Sequence, residues 1–463
     1  MRKHSVVGLA AVSAVALALT GCTGQAEAEN GSADKSLLIW TMEDVAERVA
    51  IEQQIVDEYS KETGVKVELV ALAEDQLSTV LASSAAAGNL PDLVGAVSLP
   101  GINQMDSDGL LDSSAAEEIV KSLDPSTFSD AALSLTQADG EQIAVPSDGW
   151  AQLLYYRTDL FEKLGLEPPT TYDAIEKAAT ALDESGIAGI VASTTPADSF
   201  TQQTFEHFAL ANGCELVDKS GDIALDSTEC QHSIEFYGDL IKNYSVAGTQ
   251  DADTTRATYF AGEAGMVVWS SFLLDELAGL RNDALPTCEE CAADPSFLAA
   301  NTGVVSALEG PDAKGPSSFG EIVSWAVLKD ASPAAQDFVE YMMSKGYGDW
   351  LGIAPEGKVP TRLGTPENPT EYTDAWQQLE AGVDTKALLS SVYGAEILDA
   401  VAQSPGNFSR WGIPTGHGAL SAAVSGQFVL PQALSTVIDG GGSAKDAAKQ
   451  AVEQAKVIQS DLE

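Results

Sequence analysis

Residues 142–164, QIAVPSDGWAQLLYYRTDLFEKL, constrain this chain more than any other stretch. A short apolar run at 143–145 gives way at Pro146-Ser147-Asp148-Gly149, Trp150 stands at the break, and a second apolar run follows at 153–156. Proline and glycine punctuate structure strongly, and β-rich runs on either side suit strands that lead from one packed body into another. The chain should therefore build two bodies, with a carboxylate and an indole at the bend between them.

The pattern before this segment is βαβαβ. Residues 37–40 form a buried strand, Val45, Val49, Val56 and Tyr59 a helical stripe closed by Gly64, and Val65, Val67 and Leu69 an alternating strand. A helix over 76–87 stops at Gly88-Asn89, and 91–97 is a third strand. That order predicts a parallel sheet wrapped by helices, whose binding positions lie where strands end. Thr41, Met42, Glu43, Ser98 and Leu99 occupy those ends.

A second body begins at a helix capped by Thr171. Strands are expected at 186–191, 265–272 and 322–328, and helices at 200–211, 231–244 and 254–261. Ser332-Pro333 opens a helix whose face of Phe338, Tyr341 and Met342 should be core. Residues 347–369 read as irregular, 408–414 as a loop, and 373–381, 425–438 and 444–459 as helices.

The N-terminus reads as a targeting device. A basic start at Arg2-Lys3, an apolar run at 5–19 and Leu19-Thr20-Gly21-Cys22 make an export signal, and the residues ahead of Cys22 resemble the lipobox of bacterial lipoproteins. The expectation is a signal peptide at 1–21, a lipidated Cys22 and a polar tether at 22–35. No later apolar run approaches the length of a bilayer span, so the mature protein should be held to the extracytoplasmic face of the cell membrane by its lipid.

The charge balance excludes several partners. Lys plus Arg number 24 against 69 Asp plus Glu, a formal net charge of −45. Such a surface repels nucleic acid and anionic lipid, and no Arg cluster marks a phosphate site. Beyond Cys22 remain Cys214, Cys230, Cys288 and Cys291. In an oxidising compartment four thiols form two disulfides, and Cys214 with Cys230 and Cys288 with Cys291 are favoured because each closes a short local loop. His207, His232 and His417 show no metal-ligand spacing, and neither metal nor cofactor is expected.

The succession of an IW strand, GVKVE, LPDLV, DGLLD, AVPSDGWAQLLYYRTDLFEKLGL with PPTTYDAI, FAGEAGMVVWSSF and the late helix SPAAQDFVEYM resembles family 1 extracellular solute-binding proteins. These are the maltose-binding-protein-like, carbohydrate-type receptors of ABC importers. The resemblance implies an α/β, two-lobed periplasmic-binding-protein type II fold, with the ligand cleft between lobes joined by crossing hinge strands. It implies closure around the solute, delivery to permease subunits, and a monomer. It further implies one lobe comprising 36–147 with about 325–385 and another comprising 148–324 with about 386–463. The positions around Trp150, Phe272 and Trp411 correspond to cleft-lining loops of the family.

A sugar offers C–H faces for aromatic rings and hydroxyls for carboxylates, guanidinium groups and amides. Both kinds occur together at the chain's breaks, which nominates Glu43, Asp44, Ser98, Asp148, Trp150, Trp269, Phe272, Glu321, Trp325, Arg410 and Trp411 as ligand-binding. Trp40, Trp350 and Trp376 read as core. Two alternatives stand beside the sugar. A polyamine would pair with the carboxylates and stack on the rings. A glycoside hydrolase would need two facing carboxyl groups; no (β/α)8 periodicity and no Gly-x-Ser-x-Gly, HExxH or P-loop motif supports an enzyme.

Overall fold

The computed structural model describes residues 36–462, so the expectations for the signal peptide, Cys22 and the tether lie outside the described residues. Strand β1 (Ser36–Thr41) leads into α1 (Ala46–Thr63), which buries Ile55, Val56 and Tyr59. The helix ends where Gly64 adopts φ 76°, a left-handed conformation that glycine enters without a Cβ penalty. Then come β2 (Lys66–Ala71), α2 (Leu77–Ala87), β3 (Leu93–Val97) and α3 (Leu99–Ser107). β1 pairs in parallel with both β2 and β3, as the βαβαβ reading predicts.

Strand β4 (Val145–Arg157) is the organising element. The strands β5 (Met266–Ser270), β6 (Thr302–Val305), β7 (Ser318–Val327), β8 (Val359–Pro360) and β9 (Phe408–Ser409) join it in a nine-stranded sheet with path β8-β4-β7-β3-β1-β2. The first half of β4 runs antiparallel to β7, from Val145↔Trp325 to Ala151↔Gly320. Its second half runs antiparallel to β5, from Gln152↔Ser270 to Tyr156↔Met266, and to β6. One 13-residue strand thus serves both half-sheets. The expected break at 146–149 is instead a register shift between Pro146 and Asp148. A bulge accommodates a proline that has no N–H to give the ladder, so the strand bends without ending.

Side-chain alternation along β4 divides the interior. Ala151, Leu153 and Tyr155 join a core that contains β1–β3 and the helix Ala334–Met342, where Phe338 and Met342 are buried as expected. Leu154 faces the opposite way, into a core with α4 (Ser199–Ala211), α5 (Thr228–Tyr244) and the last two helices of the chain. Helix α6 (Leu273–Leu277) follows β5, and the chain ends in α7 (Gly418–Gly426), α8 (Val429–Ile438) and α9 (Ala444–Leu462).

Some boundaries differ from expectation. Residues 186–191 form only isolated bridges, Ala188↔Ala264 and Val191↔Val267. The helix expected at 425–438 is split, because Phe428 takes φ 54° between α7 and α8. The irregular stretch holds the helix Tyr347–Gly352, and the helix expected at 373–381 spans Glu371–Trp376. Cys214 is bonded to Cys230 and Cys288 to Cys291, the favoured pairing.

Candidate functional site

Where the two half-sheets meet on β4, side chains from both sides face each other. Phe272, just after β5, lies against Gly357, just before β8, and a Cβ at 357 would overlap the ring. The Arg48 guanidinium lies 5.7 Å from the same ring's centroid. On another edge Asn103 of α3 lies against Gly418 of α7, which again leaves no room for a side chain. These are close approaches of backbone to side chain that only glycine permits.

Around Phe272 the charged groups form a chain. Lys358 Nζ is 2.7 Å from Glu43 Oε1 and 3.5 Å from Asp148 Oδ2, and Arg48 Nη1 is 3.6 Å from Glu43 Oε2. The Lys358 ammonium stands 3.9 Å from the centroid of a Trp350 ring, whose Nε1 donates to Asp148 Oδ1 at 2.7 Å. Ser147 Oγ donates to that same oxygen at 2.6 Å. Burial alone would raise the Glu43 pKa, but the Lys358 ammonium and Arg48 outweigh it and hold the carboxyl below its ordinary value. For Asp148 burial wins over Lys358 and the two hydrogen bonds, and its pKa is raised. Glu52, buried on α1 behind this chain, is pushed up to about 8 by burial, with Glu43 adding to the rise.

Beside Phe272 the acids continue. Glu276 accepts from Arg256 at 3.1 Å, with Arg281 3.6 Å away. Both Asp275 carboxyl oxygens and Glu356 Oε2 are buried without a hydrogen-bond partner. Burial raises the pKa of Asp275, and the neighbouring Glu356 and Glu276 raise it further; burial likewise raises Glu356.

A second charged chain crosses the junction. Arg410 Nη1 donates to Glu321 Oε2 at 2.6 Å and Arg410 Nε to Glu206 Oε1 at 3.3 Å. The other oxygen of Glu321 accepts the Leu99 backbone N–H at 2.6 Å. Arg410 Cζ sits 4.4 Å from the Phe319 ring centroid, and Phe319 tilts against Trp150 at 5.8 Å.

One continuous strand shared by two half-sheets thus brings rings and charged groups from both sides near its midpoint. A model of the bacterial extracellular solute-binding protein family matches residues 43–349. The chain belongs to that family. YcjN of Escherichia coli (strain K12), named as an ABC transporter periplasmic-binding protein, is 25% identical over 448 residues, which are 95% of this chain and 97% of that one. The sugar-binding protein MalE from the phytopathogen Xanthomonas citri has the same two-lobed fold, with a TM-score of 0.70 at 16% identity, 92% of this chain and 98% of that one being covered. The cyclic alpha-maltosyl-1,6-maltose binding protein from Arthrobacter globiformis gives a TM-score of 0.67 at 20% identity over 91% and 98%.

Within this extracellular solute-binding protein, the nominated residues divide. Trp150, Trp269 and Phe272 are half-buried rings near the junction. They do not share one wall. Trp150 packs toward the core of α4 and α5, whereas Trp269, in register with Leu153, packs on the opposite face, against Phe200 at 5.5 Å with its Nε1 donating to Ala252 O at 3.0 Å. Ser98 is half-buried at the start of α3, where its side chain makes no capping bond, and Asp44 is exposed.

Others are corrected. Trp325 and Trp411, nominated as ligand platforms, are 0% and 1% exposed. Trp325 is wedged between Phe338 and Trp350 in one core; Trp411 donates to Cys214 O at 2.7 Å in the other. Asp148, Glu321 and Arg410 are equally enclosed, their hydrogen-bonding groups spent on protein partners. Trp40, Trp350 and Trp376 are core, as read from the sequence.

Lys358, Arg48 and Glu206 escaped the sequence reading. The available signal was scarcity: with 24 basic residues for 69 acids, a lysine set in the Gly-Lys-Val-Pro run must be claimed by some carboxylate. Among the described residues no group of three or more His, Cys, Asp or Glu is arranged to hold a metal ion, and no helix is long and apolar enough to cross a membrane.

Proposed function

We propose that this protein is the lipid-anchored receptor of an ABC importer, capturing a sugar or oligosaccharide between its lobes and handing it to permease subunits. The observation that carries the reading is the junction at Phe272, where one half-buried aromatic face lies under the partly exposed Arg48 guanidinium, itself paired with Glu43. A ring face that covers sugar C–H groups, bordered by charged hydrogen-bonding groups, is the combination a polyol needs. Trp150 supplies a further ring, and the names of the Xanthomonas and Arthrobacter proteins agree with a saccharide. Lobe rotation about β4 and β7 is the means of capture. The lobe boundaries we propose follow 147/148 and 324/325. We place the third crossing near 405–408, a reading supported by the bond from Ser129 Oγ to Pro405 O at 2.9 Å.

One observation favours a second reading. The unpartnered oxygens of Asp275 and Glu356 beside Phe272 would suit an ammonium group, hence a polyamine. A thermal-shift screen separates the two, since ligand at 100 times its Kd stabilises by about 2.7 kcal/mol. Maltose or maltotetraose should raise Tm; a rise with spermidine and with no saccharide overturns the sugar reading. Hydrolysis of the bound oligosaccharide would make the protein an enzyme. The anchor has its own check: Cys22→Ser should release the protein from the membrane, and retention would count against lipidation.

A further inference from the structure

The buried chain Leu99–Glu321–Arg410–Glu206 touches every part of the hinge. Glu321 lies on β7, one of the two long strands shared between the lobes, and is paired across the sheet with Trp150 of β4, the other. Arg410 follows β9 directly, on the third crossing. Leu99 opens α3, on the side of β1–β3, whereas Glu206 lies on α4, in the core of the other lobe. The Leu99 N–H is one of the donors that a helix start leaves without an intrahelical partner. Ser98 does not cap it with its side chain, and the Glu321 carboxylate, brought from 222 residues away, accepts it instead. A carboxylate there is also favoured by the positive end of the helix. One turn later on the same helix face, Asn103 donates to Leu99 O at 2.8 Å and abuts Gly418 of α7, so the relay lies directly under a lobe–lobe contact.

We infer that Glu321 and Arg410 are positioning residues that hold the two lobes at their relative angle, setting how readily the cleft opens. Rotation of α3 with its lobe, away from α4 and α7, must strain one of the three links of the relay: Leu99–Glu321, Glu321–Arg410 or Arg410–Glu206. The first two are charge-assisted, short and shielded from water, which makes them stiff. Phe319 packs on the Arg410 guanidinium and Trp150 on Phe319, so a solute resting on Trp150 would press on the relay through two rings. This inference does not depend on which solute is bound.

The test therefore uses no solute. Small-angle scattering and amide exchange are recorded for the wild-type protein, for the double variant E321Q/R410Q and for R410K. The double variant removes both charges together, so that neither is left buried and alone. The expected wild-type profile matches this structure. E321Q/R410Q should show a larger radius of gyration and roughly 10- to 100-fold faster exchange at the Leu99 amide, the range one charge-assisted hydrogen bond spans. Exchange at Ile39 in β1 should not change, which a general loss of stability would not allow. R410K, keeping the charge but not the forked geometry, should lie between. If E321Q/R410Q does not fold, R410K carries the comparison. A scattering profile that stays at the wild-type one in the folded variant, or a wild-type profile already more extended than this structure, overturns the inference.

Discussion

Lys358→Met tests the electrostatic core of the junction. The lysine is buried, ion-paired to Glu43 and placed between Glu43 and Asp148. Methionine fills much the same volume, so the perturbation is the loss of the ammonium and not a cavity. What remains is a pair of enclosed carboxyl groups, Asp148 still hydrogen-bonded by Trp350 and Ser147 and Glu43 left with Arg48 at 3.6 Å. Breaking a buried pair by deleting one partner typically costs about 3–5 kcal/mol. At 2–4 °C per kcal/mol, that lowers Tm by roughly 6–20 °C. The sign with pH follows. Without Lys358 both carboxyl groups bind protons more tightly folded than unfolded, so the folded state holds more protons and the deficit shrinks as pH falls from 8 toward 5. Adding Asp148→Asn to the variant should restore part of the loss. Urea unfolding at pH 8, 6.5 and 5 measures all three quantities. A loss below about 1 kcal/mol, the behaviour of an exposed pair, or a deficit independent of pH would refute the reasoning.

Three further outcomes follow from the same geometry. Glu52, held at about 8 against an ordinary carboxyl value near 4.5, keeps its proton when folded and loses it when unfolded across that window, so stability should fall by up to about 1.4 kcal/mol per pH unit as pH rises; Glu52→Gln should flatten that slope in a Tm-versus-pH series. Trp411→Ala should destabilise by about 3–5 kcal/mol as a core truncation, whereas Trp150→Ala should chiefly weaken solute binding, a contrast that denaturation and calorimetry together resolve. Gly357→Ala would drive a methyl into Phe272 and should enlarge the radius of gyration; an unchanged scattering profile would show that the Phe272 contact does not limit closure.

The legible parts of the fold are those written locally. The βαβαβ start was readable because apolar periodicity alternates between strand and helix, and Gly64 and Gly88 close the helices in left-handed conformations. The disulfides were readable because each spans a short loop. The split at Phe428 was not, since a phenylalanine at positive φ carries no local signature. The site was legible at the level of position and not of role. Glu43 and Phe272 do stand at strand ends near the junction, but a tryptophan at a strand end or in a loop, such as Trp325 or Trp411, looks the same in sequence whether water or a core lies beyond it.

By itself the sequence determined the βαβαβ start, the crossing segment and the membership in a family of two-lobed receptors, and it favoured one disulfide pairing among three. Each of these depends on residues near one another in the chain or on a succession of motifs. Only the tertiary structure decided that β4 is continuous, that Asp148 answers to Lys358 and that Arg410 joins Glu206 to Glu321. Those pairs are 210, 204 and 89 residues apart. Whether a charge meets a solute or a countercharge depends on what the rest of the chain brings beside it, and burial, which raises Asp148 and Glu321 alike, exists only once both sides of the junction have closed.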